Sequence, residues 1–380
     1  MVTMLAAIFI FGLVIAFHEF GHFVCAKWSG IQVNEFSIGM GPLIFKKKWH
    51  GTQYSVRALP VGGYVAMEGE ESPESKQQVN DVEETNLVLQ EDIAQIECVS
   101  NPLGNKDATT LKGKSFNDVA LWKRFVTIAA GAAMNFVLGF LVLFVLVNME
   151  DSITSRIVYG FNEDALCQET GLMAEDEIVA VNGRYCFIAN DIVYELSRTE
   201  DNSADFIVIR NGEKIELENV QFDNGVNEDG STYMQLNFIV YGLEKTPVRV
   251  LEETIRSELY YGRIIFSSLI DLATGRESIN NLSGPVGIVS AIGTAASYGL
   301  ADVLSLLALI TINLGIFNLL PLPMLDGGKL VFLLIEGVTG KAVPDRVQNA
   351  INMAGLAFFL GLMLFTTYND IIRLMTGSWY

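Results

Sequence analysis

The chain is short of positive charge: 25 Lys and Arg stand against 44 Asp and Glu in 380 residues, a formal charge of −19. That balance lacks the basic field that draws nucleic acid, which argues against nucleic-acid binding. Charge of either sign is scarce, at 18% of residues, while half the residues are hydrophobic, high for a soluble protein. The four cysteines (Cys25, Cys98, Cys167, Cys186) have neither zinc-ligand spacing nor the density of a disulfide framework. Cys25 reads as a small packed hydrophobe, and Cys167 and Cys186 share one segment and could pair. Histidine is rarest. Two of the three lie four residues apart, in His18-Glu19-Phe20-Gly21-His22.

That pentapeptide sits inside an apolar run. Residues 4–17 hold no charged or strongly polar side chain, and residues 23–26 continue the pattern. Two imidazoles and a carboxylate in hydrocarbon are costly unless they bind something. On a helix, positions i and i+4 share a face, so His18 and His22 can offer two nitrogens to one metal. Glu19 beside them is placed to take a proton from a water that the metal activates. The bland alternative is two satisfied core histidines. Catalytic zinc usually takes three protein ligands. The third histidine, His50, follows Lys46-Lys47-Lys48-Trp49 and precedes Gly51, which reads as a hairpin turn. Asp326 is the better third ligand. It closes Asn318-Leu319-Leu320-Pro321-Leu322-Pro323-Met324-Leu325-Asp326-Gly327-Gly328, a hydrophobic run broken by two prolines. Irregular backbone at membrane depth survives only where protein or a water-filled cavity covers it. The alternative here is a plain turn between two spans.

Four segments, about 3–27, 125–147, 302–320 and 351–368, are long and apolar enough to span a bilayer. The first lacks the basic leader of a signal peptide, and cleavage there would remove the motif. Lys27 after span one and Lys123-Arg124 before span two put residues 28–124 in the cytoplasm, with both termini outside. The motif then lies about 8–14 Å from the Lys27 end of its helix. Asp326 falls just past the cytoplasmic end of span three, so both halves of the site share a leaflet. Residues 283–298 would break this parity if they crossed. They are short and rich in Gly, Ser and Ala, and read as re-entrant or surface-lying.

With these motifs in place, the chain resembles the site-2 protease family of intramembrane zinc metalloproteases, in its bacterial RseP-like (regulator of sigma-E protease) branch. The matching stretches are 14–27, 33–69, 123–140, 283–287, 313–329 and a final apolar helix. The resemblance implies His18, His22 and Asp326 as ligands of one Zn2+ and Glu19 as catalytic base. It also implies substrates that are single-span membrane proteins, such as pre-trimmed anti-sigma factors or remnant signal peptides, and a bacterial inner (plasma) membrane. Relatives often carry Pro near Ala132; this chain does not.

The expected fold is an α-helical membrane protein: four transmembrane helices, a membrane-associated β-sheet and an inserted extracytoplasmic PDZ-like β-rich domain. Helix 1 with the zinc motif takes 1–30, and the sheet 31–69, as four short strands divided by Gly, Pro and the Lys46–Gly51 run. A flexible cytoplasmic insertion takes 70–118, and helix 2 takes 119–149. The PDZ-like domain takes 150–245, and an amphipathic helix with the re-entrant segment 246–300. Helix 3 with the third ligand takes 301–329, and helix 4 takes 348–375. Gly62 and Gly63 leave a sheet edge bare, where an unwound substrate could add as a strand. Asn135 and Asn318 are amides inside spans. Each could hold substrate backbone or an oxyanion, or bridge helices.

Between residues 150 and 258 there are 23 acids against 8 bases, which suits an exposed, non-cytoplasmic domain. Asn211-Gly212 between two apolar runs marks a type I′ hairpin. Ala165, Gly171-Leu172, Asp176, Ile178 and Val181-Asn182-Gly183 resemble a single PDZ domain, with Glu175 where Gly often stands. Residues 248–273 read as an amphipathic helix that lies on the membrane or packs on that domain. The leading function is therefore an intramembrane zinc endopeptidase. The alternatives are a catalytically silent PDZ scaffold, which has no use for the intact cluster, and a metal transporter, which would spread polar residues along a path.

Overall fold

The computed structural model describes residues 2–70, 113–199, 201–226 and 232–376. Four helices are long and apolar enough to cross a membrane: α1 (Val2–Ser29), α2 (Leu121–Met149), α7 (Leu300–Leu319) and α9 (Asp345–Thr376). The shortest has 20 residues, about 30 Å at the helical rise, which is the hydrocarbon thickness. α2 and α9 run past the apolar spans 125–147 and 351–368 at both ends, because helical hydrogen bonding does not stop where apolar side chains do. Most of the expected insertion lies outside the described residues, as does Cys98. The chain divides into two compact units, Met1–Val137 with Ser283–Thr294 and Leu314–Tyr380, and Leu138–Leu282 with Ala295–Asn313.

In the first unit, α1 stops at Gly30, whose φ of +79° lets Ile31 N donate back to Ala26 O at 2.9 Å. Two long antiparallel strands follow, β1 (Val33–Trp49) and β2 (Thr52–Met67), where four short ones were expected. Each doubles back at a positive-φ glycine, Gly39 and Gly62. Residues 52–56 pair both with the end of β1 and with its start, as in Lys47↔Tyr54 and Phe36↔Tyr54. The lanes run 43–49, 52–57, 33–38 and 63–67, which leaves the first and last as edges.

Span three ends sooner than expected. The helix stops at Leu319, Pro321 and Pro323 keep the backbone irregular, and Asp326 opens a separate helix, α8 (Asp326–Thr339). This helix was not anticipated. Leu330 and Leu333 bury it against Ala26 of α1 and Ile128 of α2, and Glu336 pairs with the buried Arg124. The segment left as re-entrant or surface-lying forms α6 (Pro285–Tyr298), whose 14 residues reach about 21 Å, too short to cross. Its first turn is tied to α9: Gly287 N and Gly284 N donate to the Asp370 carboxylate at 2.7 and 3.2 Å.

The second unit is β-rich. It holds β3 (Ile153–Phe161), α3 (Leu166–Glu169), β4 (Glu177–Val181), β5 (Arg184–Tyr185), α4 (Ala189–Ser197), β6 (Ser203–Arg210), β7 (Glu213–Gln221), β8 (Asp223–Val226), β9 (Thr232–Gln235) and β10 (Phe238–Leu243). The antiparallel order is β10-β3-β4-β6-β7, with β5 on β4 and β8 pairing β9. Asn211 and Gly212 have φ of 54° and 84°, as a type I′ turn requires. Glu175 also takes a positive φ, 70°, which explains why a glycine would suit it. The core gathers Leu172, Ile178, Val181, Ile192, Phe206 and Val208, together with Cys167 and Cys186. Both thiols are free, and burial pushes each up to about 11. The amphipathic helix α5 (Pro247–Thr274) packs on α4: Arg198 forks onto Asp271 at 2.6 and 3.0 Å, and Arg263 meets Asp191.

Candidate metal centre

His18 and His22 project from one face of α1, their rings edge to face with centroids 4.8 Å apart. That face meets α2 where neither helix carries a side chain. A Cβ on Gly21 would sit 2.2 Å from Ala130 O, and one on Gly131 would sit 2.3 Å from His22 Nε2. Small residues allow such close crossing of membrane helices. Here they also make room for two imidazoles. His22 Nδ1 donates to Thr127 O at 2.9 Å, which fixes the tautomer and leaves Nε2 with its lone pair facing inward. His18 Nδ1 is flanked by Asn135 Nδ2 at 3.2 Å and Asn318 Nδ2 at 3.4 Å. The two amides therefore reach the ring of His18, from α2 and from α7.

Asp326 arrives from the first turn of α8. Its Oδ2 is 3.3 Å from His18 Nε2 and 3.2 Å from His22 Nε2, and the two nitrogens are 3.2 Å apart. Three ligands at 2.0–2.1 Å from a tetrahedral zinc would stand about 3.3 Å from one another. Asp326 Oδ2 is buried, and among the described residues no donor meets it in hydrogen-bond geometry. A carboxylate oxygen with no donor, facing two imidazole nitrogens at that spacing, suits a cation. Among the described residues this is the one group of three or more His, Cys, Asp or Glu set closely enough for a metal.

Glu19 lies one residue on from His18 and against the sheet. A Cβ on Gly63 would stand 3.0 Å from Glu19 Cγ and 2.9 Å from Ser37 O. Bare backbone at that position keeps the edge lane of β2 against the carboxylate. Gly62, at φ +84°, turns the strand there. His50 takes a φ of 48° in the turn, its ring against Trp49.

Three residues of the site were not singled out from sequence. Gly131 opens the Gly131-Ala132-Ala133 run, and its smallness was the available signal. Thr127 acts through its carbonyl, which any residue would supply, so no side-chain signal exists. Lys329 reaches Glu70 at 2.7 Å, and that carboxylate holds the ammonium above its ordinary value. Asp326 and Glu19 add to the same field.

The model of peptidase family M50 matches residues 6–362. The chain belongs to peptidase family M50. It is 31% identical to the zinc metalloprotease RasP of Bacillus licheniformis, over 98% of this chain and 99% of that protein. It is 30% identical to the regulator of sigma-W protease RasP of Bacillus subtilis over the same shares. Against the zinc metalloprotease RasP of Shouchella clausii it is 32% identical, over 98% of this chain and all of the relative. This M50 chain is accordingly a zinc metalloprotease, and its four apolar helices make it a multi-pass membrane protein.

Proposed function

We propose that this M50 protease cuts single-span membrane proteins within or near the bilayer, with His18, His22 and Asp326 holding Zn2+ and Glu19 as the base. The observation that carries the reading is the triangle of candidate ligand atoms with sides of 3.2, 3.3 and 3.2 Å, two of its corners on the apolar helix that carries Glu19. Bound zinc supplies a Lewis acid that makes water nucleophilic near neutral pH. The chain's own groups do the rest. Glu19 takes the proton of the attacking water on its carboxylate and passes it to the leaving amide nitrogen. Asn135 and Asn318 orient His18. A metal on His18 Nε2 requires a proton on Nδ1, and an amide turned end for end offers it an oxygen. A substrate must be unwound before its carbonyls are open to attack, and the edge lane beside Gly63 is suited to hold it as an added strand.

The name of the Bacillus subtilis relative ties that protein to sigma-W regulation, which supports trimmed anti-sigma factors as substrates here. Lys27, Lys123 and Arg124 support a cytoplasmic face for residues 28–124 in a bacterial plasma membrane, with the β-rich unit outside as a single PDZ-like domain. There it would act as a size gate on substrate ectodomains. The test of the chemistry is Glu19→Gln with co-expressed truncated single-span proteins. Cleavage should vanish while one zinc per chain remains; turnover close to wild type would remove Glu19 from the role.

A further inference from the structure

The lane formed by residues 43–49 is an edge, and its chemistry differs from the rest of the sheet. Leu43, Ile44, Phe45 and Trp49 are exposed, Ile44 by 68% and Trp49 by 60%. Between them stand three consecutive lysines, Lys46, Lys47 and Lys48, all exposed. The hairpin from residue 36 to 67 contains no acidic residue, in a chain whose formal charge is −19. Arg57, its other cation, is taken up by Glu35 at 3.2 Å. Among the described residues, no carboxylate comes within 4 Å of the three lysines.

Position along the span fixes what this edge meets. Gln32 Nε2 donates to Gly51 O at 3.0 Å and Thr52 Oγ1 donates to Val33 O at 2.8 Å. The turn after Trp49 is thereby held just beyond the end of α1, where Lys27, Trp28, Trp122 and Lys123 cluster and the two indoles lie 5.9 Å apart. Paired Trp and Lys mark the boundary between headgroups and hydrocarbon. The other end of the sheet lies deeper, since Ile38 pairs with Gly63 beside Glu19. From Trp49 the edge runs toward that depth. Lys48, Lys47 and Lys46 occupy about the first 10 Å at the strand rise, and Phe45, Ile44 and Leu43 follow. Lysine stems can lie along apolar surface while the ammonium reaches back to the headgroups.

We infer that this edge is a lipid-recognition surface: Lys46, Lys47 and Lys48 bind the phosphates of anionic phospholipids in the leaflet at the Lys27 end of α1, Ile44 and Phe45 enter the acyl region, and Trp49 sits at its boundary. The ligand is lipid headgroup and not free phosphate, because the cations are continuous with an exposed apolar strand at the depth of the bilayer boundary. The inference rests on the four-span architecture and not on the chemistry proposed for the zinc site. The surface also anchors the sheet whose opposite edge borders Glu19.

The test uses the full chain in vesicles of phosphatidylcholine alone or with phosphatidylglycerol at 30 mol% (about the load of an anionic membrane). Two chains are compared, wild type and Lys46→Gln/Lys47→Gln/Lys48→Gln. Lipids retained after gentle detergent extraction are counted by native mass spectrometry. Trp49 emission, isolated by subtracting a Trp49→Phe chain, is quenched with brominated phosphatidylglycerol or brominated phosphatidylcholine. The wild type should retain phosphatidylglycerol in preference, by about fivefold for each lysine near an anionic surface, and brominated phosphatidylglycerol should quench Trp49 more strongly. Both preferences should fall as salt rises. The triple variant should lose both while keeping wild-type thermal stability and zinc content. Equal lipid preference in the two chains overturns the inference. So does a triple variant that associates edge to edge with its lipid preference unchanged, because the lysines would then serve only to block strand pairing.

Discussion

Asp176 and Asp191 of the β-rich unit and Asp326 of the helical unit are all carboxylates set into the protein, and they are held in opposite ways. In the β-rich unit, Asp176 receives Met173 N at 2.9 Å and two Arg210 nitrogens at 2.7 Å. Asp191 receives Phe187 N and Ile188 N at 2.7 and 2.9 Å, and Arg263 besides. Both of these carboxylates are answered by donors from the fold itself, as a buried anion requires for stability. Asp326 in the helical unit has two imidazole nitrogens in front of Oδ2 and, among the described residues, no hydrogen-bond partner. A satisfied carboxylate holds a structure together, while an unsatisfied one among convergent lone pairs needs a cation. Glu258 on α5 shows that a missing donor is not enough by itself. Its Oε1 is also buried without a partner, but it belongs to no such cluster, and burial pushes its carboxyl up to about 7. Alone, a buried carboxyl holds its proton to higher pH; facing two histidines, it can take a metal.

The comparison can be broken most directly at Glu19. Glu19→Gln should lower cleavage by roughly a hundred- to ten-thousandfold, the span of general-base catalysis, with zinc content unchanged by metal analysis. Residual turnover near wild type would mean that another group activates the water. Next, the carboxylates should separate. Asp326→Ala or His22→Ala should lose most of the zinc and leave unfolding of the β-rich unit unchanged. Asp176→Ala should destabilise that unit by about 1.5–3 kcal/mol, the usual loss of hydrogen bonds to a charged group, and keep the zinc. Urea unfolding and metal content measured on the same samples decide it, and the reverse pattern would sink the distinction.

A smaller effect is expected at the helix crossing. Gly131→Ala places a methyl 2.3 Å from His22 Nε2, and overpacking of this kind costs about 1–3 kcal/mol, or roughly ten- to a hundredfold in zinc affinity. Competition with a chelator reads it; an unchanged affinity would mean that α1 and α2 separate freely. The smallest effect concerns Glu258. Its folded carboxyl is raised from 4.5 to about 7, so the folded state binds more protons than the unfolded state between those values, and stability falls as pH rises through that window. Glu258→Gln should therefore be more thermostable than wild type at pH 8 and equal to it near pH 4. A difference that is the same at both pH values would place the effect in packing and not in the charge.

Much of the site is legible in the chain because the signal is local. His18, Glu19 and His22 share a helix, so spacing alone sets their geometry, and the apolar run around them sets its cost. The four spans follow from length and hydropathy, and the Asn211-Gly212 turn from the chemistry of positive φ. What lies far apart in sequence was less visible. The two prolines pointed to a break near Asp326, yet not to a fresh helix starting there, because α8 depends on burial of Leu330 and Leu333 and on the Arg124–Glu336 pair. Asn135 and Asn318 could be placed in spans, but their approach to His18 Nδ1 depends on how three helices cross. The doubled register of β1 and β2 is equally non-local, since alternation marks a strand and does not say which lane it joins. From the chain alone came the candidate ligands, the candidate base, the spans and the turns, each set within a few residues by periodicity or backbone sterics. That the three candidate ligand atoms stand 3.2–3.3 Å apart came from the folded chain, because that spacing rests on packing between helices hundreds of residues apart and on a glycine at 131 that leaves the imidazoles room.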